Sequence, residues 1–418
     1  MLENERAKIV INHLFNSTTK PIPPVRRDIQ IIPVKEDGRD LLLFYDPMKI
    51  TEPGFALDGS VEPLLSLIDG HKSLTQLASY FGKDVSGDQL LEFVQMLDQR
   101  KLLESPNFKA ASARVEEQFE NSGTRQPALS DSSYPSEPDR LLEFMNNIMN
   151  GSNGLEMDAS KSKALYAPHI DLRVGSEQYA EAFSLLRGLK PKRVVILATS
   201  HYSGYYPELY NGYPFIGSQK DFILPGRTIK TDQKAVQTLA ADGEKAGFTL
   251  KDRAHRIEHS IETHLLFASH IWKHDFEIVP VLIAGIDDLF YIKDGDLGNK
   301  IENFASRLQQ IDTEDTFYLI SGDLSHVGRK FGDTIPAAAM RSDVETFDRE
   351  FITAAETGDY DVMLRRMAEN YDPYRICGFP PLFTFIKSFP GIAGKQINYH
   401  WWDEQERESA VSFGSILY

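Results

Sequence analysis

Three histidines of this sequence each follow a run of apolar residues that predicts a strand. His169 follows the run 164–167, His201 the run 193–198, and His326 the run 316–320. Imidazole binds metals in its neutral form and exchanges protons near neutral pH, so each position suits a metal ligand or an acid–base group. A single histidine after a strand is more often a surface or packing residue. Three at equivalent positions favour one shared cleft, because ligands of open α/β sheets bind outside the carboxyl ends of the strands.

A second group of ionisable residues lies between His255 and His264. On a helix, His255 would share a face with His259, and Glu258 would share one with Glu262. His259 and Glu262 would also be neighbours, three residues apart. In the zincin motif a glutamate directly follows the first histidine of such a pair, which is not the case here. The spacing alone favours a solvated amphipathic helix whose inward residues are Ile261, Leu265 and Phe267.

Cys377 is the only cysteine of the chain and is followed directly by Gly378. The glycine leaves the thiol open to approach. A lone cysteine near histidines is a nucleophile, a metal ligand or a buried small hydrophobic residue, and composition alone favours the last of these. One cysteine excludes an intramolecular disulfide and is typical of a reducing, cytoplasmic compartment.

The composition excludes several classes of function. The chain has 418 residues and a formal net charge of −16, from 45 Lys and Arg against 61 Asp and Glu. This charge repels phosphate backbones and anionic lipid heads, so we expect neither nucleic acid nor membrane as a partner. No stretch approaches the ~18 uninterrupted apolar residues that span a bilayer. Residues 1–6 are mainly polar with no apolar segment behind them, which predicts a cytoplasmic protein without a secretory signal.

The elements that position the histidines alternate between strands and helices. Four runs are apolar without a polar alternation, at 164–167, 193–198, 276–283 and 316–320. Such runs are typical of strands buried on both faces, as in parallel sheets covered by helices. The pattern predicts an α/β domain over residues 124–418 with a mixed, largely parallel sheet flanked by helices.

The residues before 124 predict a smaller, separate module. Prolines at 21, 23 and 24 predict an extended N-terminal arm over 1–40. A strand at 41–45 and helices opening at Pro63, Ser73 and Ser86 predict a winged-helix-like α+β module over 41–105. That module has five Lys or Arg against ten Asp or Glu, so DNA recognition lacks its usual donors. Residues 106–123 are polar and predict a linker.

Seven sequence blocks, in this order, resemble the Memo family, also called protein B of the AmmeMemoRadiSam system. They are 167–169 (Ala-Pro-His), 196–201, 258–265, 278–282, 321–326, 376–378 and the tail around Ser412. The family is similar in fold to class III extradiol dioxygenases of the LigB type. Those enzymes hold non-haem Fe(II) with two histidines and a carboxylate, and cleave catechol rings with O2.

The resemblance implies roles for individual residues. It implies His169 and His201 as imidazole ligands of a metal, with Cys377 where the dioxygenases supply their carboxylate. His326 is implied as an acid–base group with a pKa near neutrality, and Asp323 lies near it. His259 and Glu262 are implied as further residues of the catalytic site. The full set of candidate residues is His169, His201, Cys377, His326, Asp323, His259 and Glu262.

Two features of this chain alter the implied site. The thiolate of Cys377 in place of a hard carboxylate makes copper or zinc competitive with the Fe(II) that the resemblance implies. The sequence also departs from the family after Ala-Pro-His, where Asp171 would point to the same side as His169 on a strand. Tyr202 replaces a second histidine after His201. These changes keep the implied ligands and alter the wall of the pocket.

The implied site leads to two main hypotheses. One is a cytoplasmic, Memo-type metal-binding oxidoreductase that acts with O2 on a small aromatic substrate. The other is a non-catalytic protein that binds a peptide or partner; the resemblance implies radical-SAM and AMMECR1-type partner proteins, and residues 41–105 resemble PqqD-like peptide-recognition modules. A third hypothesis, a zinc hydrolase using the same residues, requires an open zinc position.

Overall fold

The computed structural model describes residues 14–81, 85–151 and 157–418. The chain forms two compact units that divide between Asn121 and Ser122. Within the described ranges, no helix combines the length and apolar character that crossing a bilayer requires.

The N-terminal unit is a small α+β fold, as predicted. Its antiparallel sheet has the order β1-β2-β3, formed by β1 (Gln30–Glu36), β2 (Arg39–Tyr45) and β3 (Ala56–Asp58). Its helices are Glu62–Ser66, Leu74–Phe81, Gly87–Gln99 and Pro106–Glu120. The helix Gly87–Gln99 begins with the capping box expected from the sequence, since Ser86 and Gln89 exchange side chain to backbone hydrogen bonds.

Two segments of this unit differ from their sequence predictions. Within the predicted arm, β1 begins at Gln30, and Ile22 and Ile29 are buried in the core of the unit. Residues 1–13 of the arm lie outside the described part. The predicted linker contains the helix Pro106–Glu120, because Ser105 accepts the backbone N–H of Phe108 and Pro106 suits the first helical turn. The linker prediction rested on the polar composition of 106–123 and overlooked this N-terminal cap.

The C-terminal unit contains one large sheet whose described part has 12 strands. They are β4 (Thr124–Arg125), β5 (Ala164–Ala167), β6 (Arg193–Thr199), β7 (Phe215–Gly217), β8 (Asp221–Leu224), β9 (Arg227–Thr231), β10 (Phe248–Thr249), β11 (Glu277–Ile283), β12 (Thr316–Ser321), β13 (His326–Gly328), β14 (Lys395–Glu404) and β15 (Ser409–Leu417). The main order is β13-β15-β5-β12-β6-β11-β9-β8-β4, with β14 beside β15 and β7 beside β11 and β10. The central strands β5, β12, β6 and β11 are parallel neighbours, which confirms the predicted mixed, largely parallel sheet.

Helices flank this sheet. They are Pro138–Asn150, Leu172–Ser184, Pro207–Tyr210, Gln233–Ala240, Gly243–Ala246, Ser260–Ile271, Asp296–Ile311, Ala337–Glu356, Tyr360–Ala368 and Phe379–Ser388. The apolar runs of the central strands are buried, as their lack of alternation predicts, with Val195, Leu197 and Val281 fully inside the core. Each such side chain contributes about 1.5–3 kcal/mol to folding by its removal from water.

The register of the parallel strands brings the candidate residues to one edge. Ser321 at the end of β12 is level with Ala167 of β5 and with Ala198 of β6. The segments that leave these strands therefore start side by side and carry His169, His201 and Asp323. This is the convergence expected from parallel strands.

Candidate metal centre

Three imidazoles converge beyond the carboxyl ends of β5 and β6. The ring centre of His169 lies 4.8 Å from that of His201 and 5.3 Å from that of His259, and the last two rings stack at 4.8 Å. One ring nitrogen of each histidine lies within 4.8 Å of the other two. His169 and His201 were the ligands expected from the sequence, and the structure adds His259 to the same group. Imidazole nitrogens at this spacing suit a transition metal.

A serine fixes the orientation of His169. The Nδ1 atom lies 3.2 Å from Ser321 Oγ, and the Ser321 hydroxyl donates to the carbonyl oxygen of Ser260 at 2.7 Å. Because that hydroxyl proton is already committed, Ser321 Oγ accepts from Nδ1–H, which leaves Nε2 of His169 without a proton. Burial, and then the charges of the neighbouring histidines, hold the pKa of His169 well below its usual value. His169 is therefore a neutral imidazole with an available Nε2 lone pair.

Glu258 orients the other two histidines. Its buried carboxylate lies 2.9 Å from Nδ1 of His201 and 3.3 Å from Nδ1 of His259. It also accepts the backbone N–H groups of His201, His259 and Ser260 at 2.7, 2.9 and 3.2 Å. A carboxylate that holds Nδ1–H leaves Nε2 of the same ring free for a metal. Spacing alone paired Glu258 with Glu262 and assigned it no role, although it directly precedes His259.

The buried Glu258 forms an ion pair with His201, whose side chain is 31% exposed. Burial opposes ionisation of Glu258, but the charge and hydrogen bond of His201 outweigh it and lower the pKa of Glu258 to about 2. Burial likewise opposes protonation of His201, yet the Glu258 carboxylate raises the pKa of His201 well above its usual value. A metal ion at Nε2 would take the place of the second ring proton, while Nδ1–H remains on Glu258.

Cys377 lies at the same centre. Its Sγ atom is 3.4 Å from Nε2 of His169 and receives the backbone N–H of Asp323 at 3.3 Å. Burial raises the pKa of the Cys377 thiol, while the hydrogen bond from His201 lowers it. Composition favoured a buried hydrophobic residue here, whereas the sulfur contacts a ring nitrogen and a backbone donor. A thiol between two imidazoles suits a metal ligand.

Gly378 serves close packing behind the thiol. A Cβ atom at Gly378 would overlap Tyr166 Oη and lie 2.7 Å from the carbonyl oxygen of Asp323. A Cβ atom at Gly322 would in turn overlap the Cα atom of Gly378. The two glycines let the segment after β12 pack directly against the segment that carries Cys377. This packing brings Asp323 and Cys377 together from positions 54 residues apart.

Asp323 supports the backbone of the centre and also faces its metal-binding atoms. Oδ1 accepts the backbone N–H groups of His169 and Ile170 at 2.9 and 3.2 Å, and Oδ2 lies 3.7 Å from Nε2 of His169. Burial raises the pKa of Asp323 to about 7, against the lowering effect of those N–H donors. Asp323, His169 and Cys377 form a second group of atoms within metal-binding distance.

His326 begins its own short strand, β13, rather than ending β12. Its Nδ1 atom lies 3.0 Å from two carbonyl oxygens, those of Leu324 and Arg375. Carbonyl oxygens only accept, so Nδ1 carries the proton and Nε2 is the basic atom. Burial lowers the pKa of His326 to about 4, and the charge of His201 adds to this effect. The pKa near neutrality expected from the resemblance is therefore not what the structure supports.

Glu262 is not brought to the imidazoles. It is fully buried, pairs with Arg125, and accepts the backbone N–H groups of Ala128 and Leu129 at 2.7 and 2.9 Å. The hydroxyl of Tyr134 donates to the same carboxylate. Glu262 thus anchors the segment after β4, and these contacts leave it no free position toward a metal.

The prediction of a solvated amphipathic helix around Glu262 is wrong. The helix begins only at Ser260, and every residue from Ser260 to Ala268 is buried. His255 lies in a separate 3-10 turn, Arg253–Arg256. Two buried carboxylates on this stretch were misread as solvent-facing, because their partners lie far away in the sequence.

Asp171 does not join the centre either. Its carboxylate accepts the backbone N–H of Arg173 at 2.9 Å, which caps the helix Leu172–Ser184, and it pairs with the Arg173 guanidinium. A helix starts at this point, so the strand alternation that would align Asp171 with His169 ends before it.

The Glu258 contacts make a testable prediction. We expect Glu258→Gln to weaken transition metal affinity about 10–100-fold, because second-sphere partners of ligating histidines typically have that effect. The measurement is competition with a chelator of known affinity. Glu244→Gln, which alters an exposed glutamate, is the matched control. Equal affinities for Glu258→Gln and wild type would contradict this role.

Comparison with known proteins gives a consistent set of relatives. A family model described as "Memo-like protein" matches residues 125–417. A "MEMO1 family protein" of Aquifex aeolicus (strain VF5) is 25% identical over 390 residues, which cover 91% of this chain and 96% of that relative. A second, from Methanosarcina barkeri (strain Fusaro / DSM 804), is 24% identical over 281 residues, 66% of this chain and 91% of its own length. A third, from Thermococcus onnurineus (strain NA1), is 28% identical over 215 residues, half of this chain and 67% of its own.

Proposed function

This chain belongs to the Memo-like protein family, and from that premise we propose that it is a metal-binding protein whose ligands are His169, His201 and Cys377. We propose further that the loaded centre carries out redox chemistry with O2 on a small aromatic substrate. The observation that carries the proposal is the convergence of two imidazoles and one thiol from three distant segments.

The donor atoms fit a metal ion. Nε2 of His169 is held without a proton by Ser321, and Glu258 holds Nδ1 of His201, so that a metal ion would have to replace only the proton on Nε2. The thiol of Cys377 is 3.4 Å from the first of these nitrogens. His259 forms one group of metal-binding atoms with His169 and His201, and Cys377 forms a second group with His169 and Asp323. Two or three imidazoles with one thiolate suit Fe(II), copper or zinc, and disfavour Mg²⁺ and Ca²⁺, which require oxygen ligands.

A bound iron or copper ion would supply one-electron chemistry and an open position for substrate. The residues of the chain would do the rest. Ser321 and Glu258 hold the two imidazole rings in their metal-binding orientation, so loading requires loss of the Nε2 proton of His201 and little movement of the rings. His326 presents Nε2 as a neutral base, since its pKa of about 4 leaves it unprotonated at pH 7. Such a weak base can accept a hydrogen bond from a phenolic O–H and so orient the substrate, but it does not hold the phenolic proton at pH 7.

The test combines metal analysis with oxygen consumption. Full-length protein, purified without oxygen, is expected to carry about one equivalent of iron or copper, the stoichiometry of a single site. The loaded protein should then consume O2 with a catechol, and His326→Ala should lose this activity while keeping its metal. Absence of stoichiometric metal under iron- or copper-replete growth would overturn the proposal and favour peptide or partner binding. One equivalent of zinc without O2 consumption would instead favour the hydrolase hypothesis.

Cys377→Ser separates a metal ligand from a packing residue. After loading with Co²⁺, we expect wild type to show a thiolate-to-metal charge-transfer band that Cys377→Ser lacks, because the serine oxygen is a harder and poorer donor. The imidazoles should keep part of the metal in the variant, so loss of the band is distinct from loss of binding. The same band in both proteins would show that the sulfur is not a ligand.

A further inference from the structure

A second concave site lies at the other end of the helix whose first turn contacts the metal centre. The open cleft has a volume of about 270 Å³, close to that of the smallest small-molecule sites, at roughly 300 Å³. Its walls come from the helix Pro138–Asn150, the turn between β8 and β9, and the last turn of the helix Ser260–Ile271. Ser269 in this cleft is roughly 14 Å along the helix from Ser260, at about 1.5 Å per residue, so the cleft is distinct from the metal centre.

One side of the cleft is apolar. Leu141, Leu142 and Met145 line it from the helix Pro138–Asn150, and Leu224 and Leu266 line it from the opposite walls. Leu142 leaves 48% of its surface exposed, which is unusual for a leucine beside other apolar side chains. Methionine adapts to varied apolar shapes. This wall therefore suits an alkyl or aromatic body rather than water.

The other side of the cleft is cationic. Arg227, His270 and Lys273 line it, against the single carboxylate of Asp275. Burial lowers the pKa of Lys273, and the nearby charge of Arg227 lowers it further. Burial also lowers the pKa of His270, followed by the charges of Lys273 and Arg187. His270 is therefore mainly neutral at pH 7, and the two cations Arg227 and Lys273 face the single carboxylate of Asp275, which favours an anion in the cleft.

The carbonyl groups at the end of the helix Ser260–Ile271 do not cancel the preference of the cleft for an anion. The last carbonyl groups of a helix repel anions, but here Arg227 donates to the carbonyl oxygens of Ser269 and Trp272 at 3.2 and 2.8 Å. It also donates to that of His274 at 2.6 Å. In addition, the hydroxyl oxygen of Ser269 is shielded from solvent and makes no hydrogen bond with any residue in the described ranges. A buried hydroxyl of this kind is available to donate to an anionic head group.

We propose that this cleft binds an amphipathic monocarboxylate, with its apolar tail against Leu141, Leu142 and Met145 and its carboxylate beside Lys273 and Ser269. The two halves of the cleft match the two halves of such a ligand, whereas a purely apolar or a purely polar molecule would leave one half unmatched. The volume of this open cleft, about 270 Å³, suits a medium-chain acid. Nothing in the metal centre is required for this binding.

Calorimetric titration of the full-length protein with sodium octanoate tests the proposal. Octylammonium chloride, with the same tail and the opposite charge, is the ligand control. We expect saturable binding of octanoate at one site and at least tenfold weaker binding of octylammonium, because the head group would then meet like charge. Equal binding of the two ligands, or no saturable octanoate binding, would overturn the proposal.

Two substitutions on exposed parts of the wall locate the site. Leu142→Glu and Lys273→Glu should each weaken octanoate binding by about tenfold or more, the first through the tail and the second through the head group. Lys234→Glu, at an exposed position outside the cleft, has the same charge change and should leave the affinity within about twofold of wild type. Circular dichroism checks that each variant is folded. Wild-type affinity in both cleft variants would overturn the assignment, as would binding of an acidic amphipathic peptide in place of octanoate.

Discussion

The double variant His169→Ala/His201→Ala is expected to lose nearly all of its bound transition metal. Wild type should carry about one equivalent after anaerobic purification and the variant less than about a tenth, because removal of two ligands leaves a centre too poor to compete with solvent and buffer. Ser321 leaves Nε2 of His169 with a lone pair, and Glu258 fixes the ring of His201, whose Nε2 proton a metal ion would replace. Elemental mass spectrometry measures the loss directly.

The matched control for that experiment removes two histidines from outside the centre. His71 lies in the N-terminal unit and His400 on β14, and neither belongs to the group of metal-binding atoms found among the described residues. His71→Ala/His400→Ala should keep the wild-type metal content. Loss of metal in both double variants would indicate nonspecific binding through histidines. Full retention in His169→Ala/His201→Ala would show that this centre is not where the metal binds.

Arg125→Met is expected to be the most destabilising single change outside the metal centre. The substitution leaves Glu262 as a fully buried carboxylate without its ion pair, a loss that costs about 3–5 kcal/mol in buried pairs. Arg125 also donates to the carbonyl oxygen of His255 at 3.1 Å and to that of Glu258, so the substitution removes every one of these contacts between β4 and the 255–264 stretch. Arg173→Met, which removes an exposed pair with Asp171, is the control and should cost less than about 1 kcal/mol.

Urea unfolding followed by tryptophan fluorescence measures the free energy of unfolding of the C-terminal unit. The chain has three tryptophans, at positions 272, 401 and 402, and all lie in the C-terminal unit. The fluorescence change therefore reports on the unit that contains Arg125. If the free energy of unfolding of Arg125→Met equals that of Arg173→Met, the buried pair is not a major source of stability.

The difference in unfolding free energy between wild type and Arg125→Met is expected to depend on pH. Burial alone would raise the pKa of Glu262, but Arg125 and the hydrogen bonds to the carboxylate outweigh it and lower that pKa below its usual value. The ionised group in wild type therefore contributes stability above about pH 4.5, and this contribution is lost as pH falls through the lowered pKa. Without Arg125, burial should raise the pKa instead. The difference in unfolding free energy between wild type and variant should accordingly shrink between pH 7 and pH 4.5.

Much of the architecture could be read from the sequence. Apolar runs without alternation predicted β5, β6, β11 and β12 and their parallel arrangement, because both faces of such strands must be buried. The rule that parallel strands present their carboxyl ends at one edge then brought His169 and His201 together. The motif blocks led to the family. The start of the helix Pro106–Glu120 could also have been predicted, because Ser105 followed by Pro106 is typical of a helix N-terminus although the segment is polar.

The roles within the 255–264 stretch were decided only by tertiary structure. Helical spacing treats Glu258 and Glu262 as equivalent, yet one carboxylate holds two imidazoles and the other holds Arg125, which is 137 residues away. Likewise, the pKa of His326 depends on its burial against carbonyl oxygens of two separate segments. Periodicity reports which residues share a local face. The partner of a buried charge, and with it the tautomer and pKa of each group, depends on which distant segment packs there, and that is decided only when the chain folds.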